Sequence, residues 1–212
     1  MHSAHARGTI SLLIIAIFAL CGSTGMTAAQ TLPSNALLAA LQKGGNVIVM
    51  RHASSPRDLP TTQTANPDNT SRERQLDQTG RDTAQAMGKA FRDLKIPVGE
   101  VFSSPTYRAR ETIKRAGFPE PRIVPELGDG GASMQATSDA ATAWLKKQVT
   151  QFPSGTNTLM VTHMPNITRA FPNESAGLAD GEALIFAADG KGAAKLLARV
   201  KIEDWPTIAA KR

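Results

Sequence analysis

A chain of 212 residues that is 41% hydrophobic and 20% charged has the length and composition of one globular domain with a sizeable core, and no repeat or low-complexity tract argues otherwise. Its 24 Lys and Arg against 18 Asp and Glu give a net charge of +6, which favours anionic partners without choosing among them. The basic residues are scattered and aromatics make up only 5% of the chain, so the basic-aromatic interleaving of a nucleic-acid binder is missing and no nucleic-acid partner is expected.

In chain order, residues 1–29 read as a cleavable export signal, with Arg7 in a short polar start, an apolar stretch over 10–20, and Thr27-Ala28-Ala29 at the end. The apolar stretch falls short of the about 20 residues that span a bilayer, so a periplasmic or secreted domain over 30–212 is expected, with no stable membrane anchor. The single cysteine, Cys21, would leave with the signal. The mature domain would then have no disulfide, thiol nucleophile or cysteine metal site.

After Gly44-Gly45, residues 46–50 carry Val47, Ile48 and Val49 in an apolar run, the pattern of a buried parallel strand, with Arg51 and His52 at its C-terminal end. Residues 54–74 are polar, include Pro56, Pro60 and Pro67, and read as a long surface loop. A helix is expected from Thr79, capped there with Asp82 as its partner, and Ala84, Met87, Phe91 and Leu94 share one face. A strand over 100–103 leads through Ser104-Pro105 into a helix over 106–116. Further strands are expected at 122–124, 158–161, 183–186 and 195–200, with a helix between 137 and 152. Alternation of this kind predicts a single α/β domain with a mostly parallel central sheet flanked by helices.

Three sites fall at or just past strand ends, where open α/β sheets bind ligands: Arg51-His52, Ser103-Ser104-Pro105 with Arg108 one turn later, and Thr162-His163. Two histidines and two arginines suit a dianionic phosphoryl group, because guanidinium forks match phosphate oxygens two at a time. Arg57, in the loop beyond His52, reads either as a third phosphate contact or as a solvated charge. Taken alone, His163 reads more simply as a structural histidine, and Trp144 and Trp205 as packing. No His, Asp and Glu cluster has metal-ligand spacing, so neither metal nor cofactor is expected.

The segment VIVMRHASSP resembles the arginine-histidine signature of the histidine phosphatase superfamily, the group of phosphoglycerate mutases and histidine acid phosphatases. RQLDQTGRDTAQAMG, VFSSPTYRARETI and LMVTHMPNI resemble its next three landmarks in the same order, so that the likeness spans 47–167. The resemblance implies a phosphoglycerate mutase-like fold with His52 as nucleophile, Arg51 and Arg108 as phosphate clamps, and His163 as a hydrogen-bond donor to the phosphoryl oxygens. A neutral imidazole can attack phosphorus without a metal, and fixed arginines stabilise the charge on the equatorial oxygens.

Two positions depart from the pattern. Ala53 stands where the family most often has glycine, which matters only if the backbone there needs positive φ. Met164 follows His163 where the acid-phosphatase branch has an aspartate. The mutase-like branch takes its acid from the segment after the Ser-Pro-x-x-Arg helix, which here offers Glu126 and Asp129. Glu126 is preferred as the acid because it follows the strand at 122–124, whereas Asp129 lies between two glycines. The compact phosphohistidine phosphatases of that superfamily do without an acid.

The function expected is therefore metal-independent hydrolysis of a phosphomonoester, through a phosphohistidine on His52. A phosphomutase using the same site and a non-catalytic periplasmic binder of phosphorylated glycans are the alternatives. The substrate class is a phosphorylated small molecule or cell-envelope sugar, with specificity expected in 54–74 and 127–137.

Overall fold

A computed structural model describes residue 1, residues 34–129 and residues 138–210. The expected signal at 2–29, with Cys21, lies outside the described residues, as does most of the 127–137 segment. The chain forms helix α1 (Ser34–Lys43), strand β1 (Asn46–Arg51), α2 (Gln78–Asp93), β2 (Val98–Ser103), α3 (Tyr107–Ala116) and the short β3 (Arg122–Ile123). A 3-10 turn (Pro125–Leu127) follows, then α4 (Asp139–Gln148), β4 (Asn157–Thr162), α5 (Met164–Ala170), β5 (Ala183–Ala188), β6 (Ala194–Val200) and α6 (Asp204–Ala210).

The strands form one six-stranded sheet in the order β3-β2-β4-β1-β5-β6. β3, β2, β4 and β1 are mutually parallel, while β5 pairs antiparallel with β1 and β6 antiparallel with β5. The expectation of a mostly parallel sheet therefore holds, with β5 and β6 as the antiparallel strands at one side. β6 runs antiparallel to β5 because the two are joined by a tight turn, in which Asp189 Oδ1 accepts from Lys191 N and Ala193 N at 2.7 and 2.9 Å. So short a connection can only bring a strand back antiparallel.

The apolar run of β1 is continuous because both of its faces are covered. Ile48 and Met50 pack with Leu41 of α1, Met87 and Phe91 of α2, Ile113 of α3 and Trp205 of α6. Val47 and Val49 pack on the other side with Leu145 of α4 and Ile167 of α5. Burying one such side chain contributes about 1.5–3 kcal/mol.

At the N-terminal ends of β1 and β4 the core turns polar. Asn46 Nδ2 donates to Asn157 Oδ1 at 2.8 Å and to Ala40 O at 2.9 Å, and Asn157 Nδ2 donates to Leu41 O and Pro97 O at 2.7 and 2.8 Å. Both asparagines are buried, so these bonds meet the demand that buried amides be paired.

Helix α2 is capped two residues before Thr79. Asp77 is its N-cap, with Oδ1 accepting from Gly80 N at 2.7 Å and Oδ2 from Ser54 Oγ at 2.7 Å. Asp82 is engaged by Gln78 Nε2 at 2.7 Å instead of reaching back to a cap. The cap is anchored to residue 54, two beyond His52, and Gly80 permits it: a Cβ there would stand 2.1 Å from Ser54 O. The fold thereby pins the start of the long loop against α2.

Candidate active site

β1 and β4 are neighbours in register, with Arg51 opposite Thr162, so the residue just past each strand end falls beside the other. Those residues are His52 and His163, whose ring centroids lie 5.2 Å apart at 64°. Both are buried, at 4% and 2% exposure. From β2, the next parallel strand, Ser104 and Thr106 lead into α3, which presents Arg108 from its first turn. Three strand ends thus meet in one cleft of about 580 Å³.

His52 Nδ1 lies 2.8 Å from the carbonyl oxygen of Ala53, and a carbonyl can only accept. The proton therefore sits on Nδ1, and the lone pair of Nε2 accepts from Arg108 Nε at 3.1 Å. Burial first, then the positive charges of Arg108, Arg51 and Arg74, push the His52 pKa from 6.5 down to about 3, against the opposing pull of the Ala53 carbonyl. The ring is a neutral base at pH 7. His163 Nδ1 faces Arg108 Nη2 at 3.2 Å, and its Nε2 lies 2.8 Å from Ser104 Oγ and 3.3 Å from Thr106 Oγ1. Burial, then His52 and Arg108, hold its pKa well below the usual value.

Arg108, 5% exposed, touches both imidazoles and makes an ion pair through Nη2 with Asp129. Arg51 donates from Nη1 to Leu178 O at 3.2 Å and pairs through Nη2 with Asp180 Oδ1 at 2.5 Å. Arg74 reaches the cleft from the long loop, held by Nε to Pro56 O at 2.7 Å and Nη2 to Ser55 O at 3.1 Å. Burial and the neighbouring Arg108 lower its pKa even though Asp129 and Asp180 oppose them. Exposed Arg57 lies on the rim. Four arginines face two carboxylates around this cleft, an electropositive concavity suited to a phosphoryl dianion.

Arg51, His52, Arg108 and His163 are all brought together, and Arg57 lines the same cleft. The preference for Glu126 over Asp129 does not survive the geometry. Glu126 is half-buried on the 3-10 turn and is not among the residues lining the cleft, whereas Asp129 lines it and pairs with Arg108. The turn spends its inward position on Leu127, which is fully buried, and delivers the next carboxylate two residues later. Ala53 is also fully buried and has no positive φ, so that position asks only for a small side chain. Its N–H donates to Thr112 Oγ1 at 3.1 Å.

Sequence reasoning missed Arg74, Asp180 and the Ser104–Thr106 hydroxyl pair. Arg74 opens the RQLDQTG segment and could have been singled out there, while nothing local marks Asp180. A second concavity of about 460 Å³ lies outside α3, but it holds no histidine, and its Lys114 and Tyr107 are spent on Asp68 at 2.6 and 2.5 Å. Among the described residues no group of three or more His, Cys, Asp or Glu is placed to hold a metal ion, and no helix is long and apolar enough to cross a membrane.

The family model of the histidine phosphatase superfamily (branch 1) matches residues 47–129, the stretch that contains Arg51, His52, Arg74 and Arg108. No curated protein matches the sequence. Among solved structures, the protein histidine phosphatase SixA complexed with tungstate is similar at 19% identity and a TM-score of 0.55, covering 75% of this chain and 98% of that one. A histidine-to-alanine mutant of a phosphoserine phosphatase from Entamoeba histolytica, in complex with phosphoserine, is similar at 14% identity and a TM-score of 0.51, covering 74% and 98%. Likeness at these identities speaks for the fold alone, which is phosphoglycerate mutase-like. The segment that resembles the histidine phosphatase superfamily thus carries His52 and the arginines Arg51, Arg74 and Arg108 that meet at the strand ends.

Proposed function

We propose that this phosphatase hydrolyses a phosphomonoester in two steps, with His52 as the covalent carrier and no metal ion. In the first, Nε2 of His52 forms a bond to phosphorus as the ester oxygen departs with the electrons of the P–O bond and takes up a proton. In the second, water attacks the phosphohistidine, releasing inorganic phosphate and restoring the neutral ring. The observation that carries this reading is the fixed tautomer of His52: Nδ1–H is tied to the Ala53 carbonyl, so the lone pair of Nε2 faces the cleft beside Arg108.

Arg108, Arg51 and Arg74 supply the positive charge that a metal would otherwise bring to the equatorial oxygens. Asp129, the carboxyl nearest the two histidines through Arg108, is the group placed to protonate the leaving oxygen. The cleft volume leaves room for a small phosphorylated molecule such as a sugar phosphate beyond the phosphoryl group, with Arg57 as a rim contact. The residues before 30, read as a cleavable export signal, put this activity in the periplasm or outside the cell, with the substrate in the cell envelope or medium.

The test is a rapid quench of turnover on a chromogenic phosphate ester. A phosphoenzyme that is acid-labile and base-stable, absent in His52→Ala and formed equally after chelation, is expected. A base-labile adduct, or activity lost to chelator and restored by a divalent ion, would overturn the reading.

A further inference from the structure

His163 is paired in a way that its catalytic neighbour is not. Arg108 Nη2 can only donate, so its 3.2 Å contact makes His163 Nδ1 an acceptor, and in a neutral ring the proton then sits on Nε2, 2.8 Å from Ser104 Oγ. The Ser104 hydroxyl is fully buried and directs its own proton elsewhere, donating to Thr106 Oγ1 at 3.2 Å while accepting from Thr106 N at 3.2 Å. Toward the imidazole it therefore stands as an acceptor. Thr106 Oγ1, at 3.3 Å from the same nitrogen, is the weaker alternative.

We propose that Ser104 is a positioning residue that holds the proton of His163 on Nε2, leaving Nδ1 to take the proton that a phosphomonoester monoanion carries into the cleft. The proposal rests on the hydrolase reading above. As the Arg108 fork turns onto the phosphoryl oxygens, the O–H bond of the monoanion breaks and an N–H bond forms at Nδ1. The substrate becomes a dianion, His163 becomes an imidazolium, and the proton count is unchanged. Nδ1–H then donates to a phosphoryl oxygen, and the bond from Nε2–H to Ser104 becomes charge-assisted and stronger. The groups that face His163 are neutral His52, Arg108, Asp129 and Arg74. In the empty site burial and these cations disfavour the imidazolium, so the dianion and the Ser104 oxygen are what offset that cost.

The experiment is histidine 15N NMR on the full chain, titrated with inorganic phosphate near pH 6, where that anion is mainly the monoanion and still carries the proton to be passed on. The expected empty spectrum has His163 neutral with its proton on Nε2 and His52 neutral with its proton on Nδ1. Phosphate should drive His163 to imidazolium shifts and leave His52 neutral. Ser104→Ala, checked by thermal melting, should weaken competitive inhibition by phosphate about tenfold and blur the tautomer of the empty ring. A His163 that stays neutral with phosphate bound, or a folded Ser104→Ala variant that binds phosphate within about twofold of the parent, would overturn the proposal. Because the spectrum is read on the unmodified chain, a variant that fails to fold still leaves the idea open to refutation. Failure of the hydrolase reading would show separately, as the absence of a phosphohistidine.

Discussion

The ends of β1 and β4 are built alike and partnered differently. Each is a parallel strand carrying a histidine one residue past its last paired position, and both rings are buried against Arg108. The proton of His52 is held by a backbone carbonyl, a partner that cannot change its role. That of His163 is held by a hydroxyl, which can either accept or donate. The nucleophile proposed for His52 is served by a fixed tautomer, since any time spent with the proton on Nε2 is time without a lone pair there. A ring that gains a proton when the anion arrives is served by an oxygen that accepts from Nε2–H in both states, more strongly in the second.

Removing the rings sets the comparison at its widest. His52→Ala is expected to reduce turnover of a phosphate ester by more than about a thousandfold while circular dichroism stays unchanged, since it removes the atom proposed to bond to phosphorus. His163→Ala should cost about a hundredfold, the scale of one lost donor to transition-state oxygens, and should still form phosphohistidine. If the two variants are equally inactive and neither is phosphorylated, the division of labour between the two strand ends is wrong.

The next effect concerns the acid, where the structure and the sequence favour different residues. Asp129→Asn should slow an alkyl phosphate about a hundredfold but hardly slow an aryl phosphate with a good leaving group, and Glu126→Gln should leave both rates near the parent values. Equal losses on the two esters in Asp129→Asn would assign that residue to holding Arg108 and nothing more. On the β1 side, Asp180→Asn should raise KM several-fold with a smaller effect on kcat, because it loosens Arg51, whose proposed contact to the phosphoryl group is made in the ground state as well as the transition state.

The smallest effect is on stability. The folded chain keeps His52 neutral down to about pH 3, whereas an unfolded chain protonates it near 6.5, so between these values the unfolded state binds more protons. Stability should rise with pH across that window and be lost as pH falls from 6.5 toward 3. His163 adds in the same direction. Urea unfolding at a series of pH values should show the slope, and His52→Ala should flatten it; an unchanged slope would mean that the burial of the ring carries no such linkage.

How much of this was legible before the structure depended on the range of the signal. Strands buried on both faces announce themselves as apolar runs, so β1, β4 and the ends they present were readable, together with Arg108 one turn past Ser-Pro. The cap of α2 was misplaced because Thr79 and Asp77 are both competent caps, and only the contact of Asp77 with Ser54 decides between them. Helices α5 and α6 have seven residues each, too few for a 3.6-residue period to stand out. Asp180 was unreadable for a different reason. The turn that brings it to Arg51 belongs to the segment before β5, and the neighbouring contact, Leu178 O, is 127 residues from Arg51 along the chain. The choice between Glu126 and Asp129 failed on one detail, that the 3-10 turn buries Leu127.

The asparagine pair at the far end of the sheet acts as a vernier for the cleft. Asn46 and Asn157 are the first residues of β1 and β4, and each strand runs six residues, about 20 Å, before reaching its histidine. Sliding one strand past the other by a single step would turn every side chain to the opposite face and bring His52 beside Thr162 rather than His163. The amide-to-amide bond can form in only one alignment, so it indexes the whole ruler at its zero mark. A lesion at Asn157 would therefore present itself at the bench as a catalytic fault, in a residue that no substrate ever reaches.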